Sequence, residues 1–143
     1  MSTEENKALV RRIYEEWNKG KEAALEELYA PDYVWHGTGV FRDMDLAAIK
    51  QVIAAWFTAF PDPHYTVEDL IAEGDKVVAR FTFRGTHQGD FMGIPPTGKH
   101  VSWTGIRIAR IEDDKFVETW TNSDDLGLFQ QLGVVPQTAQ AGA

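Results

Sequence analysis

The chain has 143 residues, 43% of them hydrophobic and 12% aromatic, and no cysteine. That suits one domain burying roughly 70% of its unfolded surface, and it excludes a disordered chain, a disulfide framework and a thiolate metal site. A net charge of −8, with basic residues scattered singly apart from Arg11-Arg12, argues against nucleic-acid binding.

The opening MSTEENKALVRR lacks the apolar core of a signal peptide. No apolar run approaches the ~18 residues of a membrane span, so no membrane partner and a cytoplasmic location are expected. In STEENKALVRRIYEEWNKG, Ser2 and Glu5 have capping-box spacing. Leu9, Val10, Ile13, Tyr14 and Trp17 form one helical stripe, and Gly20 suits the stop. KEAALEELYA reads as a second, shorter helix ended by Pro31, and YVWH (33–36) as a short strand. A third helix runs through DLAAIKQVIAAWFTAF, with Asp45 as N-cap, Leu46, Ile49, Ile53, Trp56, Phe57 and Phe60 on one side, and Pro61 as its stop.

From His64 the hydrophobic period changes to two. HYTVEDLIAE, a Gly74-Asp75 turn and KVVARFTFRGT make one hairpin. HQGDFMGIPPTGK is a loop rich in Gly and Pro. HVSWTGIRIARI, a turn at Asp113-Asp114 and KFVETWTNSD make the second hairpin. A helical turn or two follows Asp125, and residues 136–143 read as a flexible tail after a single domain over 1–135. Helices first and an antiparallel meander afterwards predict an α+β domain, with its helices on one face of a curved sheet.

With two-residue turns the pairing follows by counting. Leu70, Ala79, Phe81 and Phe83 share one face of the first hairpin, and Asp69 meets Arg80 on the other. In the second hairpin Arg107 opposes Trp120, Gly105 opposes Asn122 and Trp103 opposes Asp124. One face then carries Trp103, Arg107, Glu118, Trp120, Asn122 and Asp124, and the opposite one Thr104, Ile106, Ile108, Val117, Thr119 and Thr121. Rings mixed with a carboxylate, an amide and a guanidinium suit a pocket for a hydrophobic small molecule. The competing reading makes Trp103 and Trp120 core rings and Asp124 the cap of the last helix. Asp125 can take the capping role and leave Asp124 free.

Continuing the alternation past Phe83 brings His87 to the aromatic side, and His36 follows Trp35 on the early strand. The four histidines have no metal-ligand spacing, so no metal is expected. Ser102 and Ser123 lack a triad-like setting. GIPPTG lacks a lysine at phosphate-loop spacing and reads as a rigid turn at the pocket rim.

The stretch from Phe60 to Trp103, followed by IEDDKFVETWTNSDDLGLFQQLG, resembles the SnoaL-like polyketide cyclase family of the nuclear-transport-factor-2-like superfamily, over about residues 5 to 133. The resemblance implies a cone-like fold, three N-terminal helices on a strongly curved antiparallel sheet. It also implies a homodimer through the sheet's outer face, here Ile106, Ile108, Thr119 and Thr121, and chemistry without cofactor or metal. Cyclases of the family close a ring by intramolecular aldol condensation with an aspartate at the end of the last long strand, which matches Asp124. Their partner histidine has no counterpart in residues 101–111, leaving Arg107 or His87 as stand-ins.

The expected site is therefore Asp124 as acid/base, with Tyr14, Trp17, Trp35, His36, Phe57, Phe83, His87, Trp103, Arg107, Trp120 and Asn122 around the substrate. Trp103 and Trp120 are expected to desolvate Asp124. The rivals are epoxide hydrolysis or ketosteroid-type isomerisation on the same scaffold, and a noncatalytic module that binds a small ligand.

Overall fold

The computed structural model describes residues 2–21, 23–37 and 42–136. Nearly all of the expected tail, residues 137–143, lies outside them. Helix α1 covers Thr3–Asn18 and starts in the expected capping box, Ser2 and Glu5 each accepting the other's backbone N–H. Helix α2 is only Ala24–Leu28, because the chain turns extended at Tyr29. Strand β1 therefore runs Tyr29–His36, longer than the short strand at 33–36, with Pro31 inside it. The β1 pairing is irregular between Tyr29 and Val34, which is where a residue without an N–H can sit in a strand. Strand β2 is Met44–Asp45, and helix α3 is Leu46–Ala59 with Asp45 accepting from the Ala48 N–H. Strands β3 (His64–Glu73), β4 (Lys76–Thr86), β5 (His100–Glu112) and β6 (Lys115–Ser123) follow, then helix α4 (Asp125–Leu132).

The six strands form one curved sheet in the order β2-β1-β6-β5-β4-β3. It is mixed rather than wholly antiparallel, since β1 runs parallel to β6. Both hairpin turns fall where the sequence places them. Asp113 and Asp114 both have positive φ, the backbone twist that two-residue hairpin turns favour. In the first hairpin Leu70 faces Ala79 and Asp69 faces Arg80, with an Arg80–Asp69 ion pair at 2.7 Å.

The second hairpin departs from simple counting. Glu112 faces Lys115 and Ile111 faces Phe116, but Arg110 then faces Glu118, so Val117 is an extra residue in β6. That bulge moves every later residue of β6 by one and exchanges its two faces. Arg107 faces Thr121 rather than Trp120, and Gly105 faces Ser123 rather than Asn122. Thr119 and Thr121 turn inward, Thr119 becoming fully buried. Trp120 and Asn122 turn outward, beside Ile106 and Ile108 on the convex side.

The core sits between α1, α2, α3 and the concave face of the sheet. One cluster joins Val10, Ile13, Leu25, Leu28 and Phe116. A second, aromatic cluster joins Phe60, Phe83, Phe91 and Trp103 with Leu128 and Leu132 of α4. Gly105 opens space between them. A Cβ there would lie 2.5 Å from the Phe81 ring, so only glycine lets that ring lie over β5. Among the described residues, no helix is long and apolar enough to cross a membrane.

Candidate active site

A cavity of about 180 Å³ opens between the helices and the concave face of the sheet. Tyr14 and Trp17, one turn apart on α1, form one wall; Tyr29, Tyr33 and Trp35 of β1 form the next. Helix α3 adds Ile49, Val52, Ile53, Trp56 and Phe57, its apolar stripe facing the cavity instead of a solid core. The floor is Tyr65, Phe81, Trp103, Arg107, Thr121 and Ser123 from β3 to β6. The rings brace one another: Tyr14 meets Trp17 edge-on at 5.4 Å, and Trp56 meets Trp103 at 4.7 Å.

Among the described residues, Arg107 is the one lining residue that carries charge. It is buried, and its guanidinium donates to the Tyr29 hydroxyl at 2.6 Å. The Trp17 ring lies 5.2 Å from the guanidinium carbon and the Phe116 ring 5.5 Å, which places the cation against aromatic faces. Among the described residues no carboxylate pairs with it, whereas on the outer side Arg80 holds one and Arg110 two. Burial works against the Arg107 charge, but the surrounding oxygens of Tyr29, Tyr14 and Tyr33 favour it, and the net direction is upward. It stays a cation. Burial pushes the hydroxyls of Tyr14 and Tyr29 upward too, with Arg107 opposing, so both are neutral hydroxyls at pH 7. Tyr33 and Tyr65 move the same way for the same first cause.

Of the expected site residues, Tyr14, Trp17, Trp35, Phe57, Trp103 and Arg107 line this cavity. Phe83 backs it, packed behind Trp103 with ring centres 4.2 Å apart. Four others are elsewhere. Trp120 lies on the outer face, its ring stacked on His36 at 4.8 Å, and His36 is hydrogen bonded to Glu118 at 2.7 Å. Asn122 is exposed on that same outer face. His87 is fully buried but belongs to the second cluster, with its ring against Phe60 and its Nδ1 accepting from the Thr97 N–H. The bulge at Val117 accounts for Trp120 and Asn122, and the loop after Thr86 folds His87 away from the cavity.

Asp124 caps α4 by accepting from the Gly127 N–H at 3.0 Å and is exposed. The expected desolvation by Trp120 is not in place, because that ring is on the other side of the sheet. Asp124 does follow directly on the lining residue Ser123, whose hydroxyl donates to Asp125 at 2.7 Å. Asp125 does not take the cap.

The sequence pattern gives no hint of Tyr29 and Tyr33 as lining residues, because Pro31 between them reads as the end of a helix. Ile49, Ile53 and Trp56 stand in the α3 stripe but look like ordinary core. Tyr65 and Phe81 alternate correctly for the concave face, which is the signal that identifies them. Thr121 and Ser123 are hidden by the bulge. Among the described residues, no group of three or more His, Cys, Asp or Glu is gathered to hold a metal ion.

A curved sheet closed by helices around an aromatic cavity, with one buried cation on its floor, defines a small-molecule site of the nuclear-transport-factor-2-like kind. The family model for SnoaL-like polyketide cyclase matches residues 7–132, and the chain belongs to that family. Among characterised relatives, the aklanonic acid methyl ester cyclase AcmA of Streptomyces galilaeus is 29% identical over 128 residues, 88% of this chain and 89% of the relative. The aklanonic acid methyl ester cyclase DauD of Streptomyces sp. (strain C5) is 32% identical over 129 residues, 87% of this chain and 80% of the relative. Among solved structures, TsrD from Streptomyces laurentii superposes with a TM-score of 0.82 at 32% identity, covering 94% of this chain and 99% of that one. AclR from Streptomyces galilaeus, provisionally described as a hydroxylase, gives 0.87 at 33% identity over 95% of this chain and 85% of that one.

Proposed function

We propose that this protein is a cyclase-type enzyme that closes a ring in a hydrophobic, carbonyl-bearing polyketide by aldol-type addition, without a cofactor. The observation that carries this reading is Arg107: a permanent cation set in a largely aromatic cavity, bonded to a tyrosine hydroxyl and, among the described residues, facing no carboxylate. Aldol closure develops negative charge on oxygen twice, first as an enolate and then as an alkoxide. A preorganised cation and hydroxyl in a dry cavity stabilise such charge far more than water does.

In the proposed sequence, a carbon between two carbonyls gives its proton to Asp124, the residue next to the lining Ser123. The electron pair left behind forms the new C–C bond to a second carbonyl carbon. The π pair of that carbonyl moves onto its oxygen, which takes the proton back, so the product is an isomer of the substrate. Because Asp124 is exposed, acidifying the substrate carbon falls mainly to Arg107. The similarity to aklanonic acid methyl ester cyclases supports this class of substrate. Turnover of an enolisable polyketide ester, followed by product mass and absorbance with wild type and Arg107→Met, tests the reading. Ring closure that is unaffected by the loss of the guanidinium would remove the charge argument, and binding without closure would make the protein a binding module.

A further inference from the structure

The hydroxyls around Arg107 favour its charge but do not neutralise it. A guanidinium has five N–H donors, and among the described residues this one meets only tyrosine hydroxyls: it bonds Tyr29 at 2.6 Å, with those of Tyr14 and Tyr33 close by. Burying an ionised group is costly unless it is paired, and here its neighbours are neutral hydroxyls and ring faces. The cavity's other polar atoms add to the imbalance. Among the described residues Trp17 Nε1 is buried without a hydrogen-bond partner, while the Tyr14 hydroxyl stands beside Arg107 and Trp56 Nε1 beside the Tyr65 hydroxyl. An indole N–H can only donate. The site therefore offers donors and positive charge and, among the described residues, no lining carboxylate to receive them.

We propose that the cavity binds its substrate as an oxyanion, the ionised form of a flat enol or phenol whose charge is conjugated with the ring, with Arg107 as counterion. This rests on the cyclase reading and names its substrate class more narrowly: an acidic, planar, acceptor-rich molecule, taken up in preference as the anion. The indoles of Trp17, Trp35, Trp56 and Trp103 supply flat walls for such a ring. Trp17 Nε1 and the remaining guanidinium N–H groups supply places for its further oxygens. A neutral ketone satisfies the walls but leaves the charge of Arg107 unanswered.

The test needs no turnover. 7-Hydroxycoumarin is flat, carries acceptor oxygens, cannot cyclise, and shows separate absorption bands for phenol and phenolate. Titrated with the protein in excess, its ionisation should move to lower pH, by an amount matching at least about tenfold tighter binding of the phenolate than of the phenol. Arg107→Met should abolish that preference, Arg107→Lys should keep part of it, and circular dichroism should report each variant folded. If Arg107→Met does not fold, the wild-type and Arg107→Lys titrations decide alone. A bound probe that ionises at the same or higher pH than the free one overturns the proposal, as does failure of either form to bind at millimolar concentration. Anion preference without ring closure on a polyketide ester would sink the cyclase reading and leave this one standing. Ring closure without anion preference would do the reverse.

Discussion

Arg107 and Tyr29 meet across the cavity floor, the guanidinium of β5 donating to the hydroxyl at the start of β1 at 2.6 Å. The contact spans 78 residues of sequence and ties the centre of the sheet to the strand beside α3. It also holds a cation where folding alone gains little from one, since a buried charge is costly and an apolar side chain of similar length packs as well.

Arg107→Met is accordingly expected to melt at or above the wild-type temperature while losing turnover. Methionine keeps the aliphatic length and removes the desolvated charge, a change worth about 1 kcal/mol or more of stability in comparable buried sites. Turnover should fall by roughly 10²–10³, as for removal of one oxyanion donor. Thermal melts and initial rates on the same preparation check both. A variant that is much less stable and only proportionately less active would make Arg107 a structural residue.

Asp124 separates in the same way. Asp124→Asn preserves the cap on α4, since asparagine caps about as well as aspartate, so melting should not change. If Asp124 moves the proton, turnover should still fall by roughly 10²–10⁴. Asp124→Ala should lose the same activity and, in addition, about 1 kcal/mol of stability. Full turnover in Asp124→Asn would reduce the residue to its capping role with Gly127.

Most of the architecture was legible from pattern. The Ser2–Glu5 box, the Asp45 cap and both hairpin turns are local signals, and each predicts its own geometry. The helix stripe of Tyr14 and Trp17 and the alternation through Phe81, Trp103 and Arg107 put those five residues on the cavity side. What failed was counting past an interruption. Nothing in KFVETW marks Val117 as a bulge, yet one unpaired residue reverses every face after it and sends Trp120 outside. Pro31 misled for a related reason. It stops helices, but it is also tolerated inside an irregularly paired strand, and so Tyr29 and Tyr33 were hidden as site residues. The burial of Arg107 among tyrosine hydroxyls and ring faces is a tertiary fact that no local pattern carries.

The reversed face changes the expected dimer surface. Thr119 and Thr121 are inside, so a second copy would meet Ile106, Ile108 and Trp120 on the convex side, with Ile106 48% exposed. A homodimer is expected there, because an apolar patch on a sheet face favours a self-complementary partner. Sedimentation of wild type should give twice the chain mass at micromolar concentration, and Ile106→Glu should give the monomer without loss of helix signal. A wild-type monomer at that concentration would refute the assignment.

The same outer face carries a charge network with a definite pH response. Glu118 accepts from His36 at 2.7 Å and from Arg110 at 2.6 Å, and Arg110 also meets Glu112 at 2.9 Å. The bond from His36, followed by that from Arg110, lowers the Glu118 pKa below its ordinary value of 4.5. A carboxylate whose folded pKa is depressed contributes its stability fully above the unfolded value. That contribution fades as pH falls through the folded one. The window is therefore acid, below about pH 4.5. The Glu118 side chain is 23% exposed, so solvent screening keeps the contribution near ~1 kcal/mol. Glu118→Gln should be less stable than wild type by about that much near neutral pH, and the gap should narrow as pH falls below about 4.5. Urea unfolding at neutral and acid pH measures it. A gap that stays constant on acidification would mean that packing around Trp120 and His36, rather than the ionised carboxylate, supplies the difference.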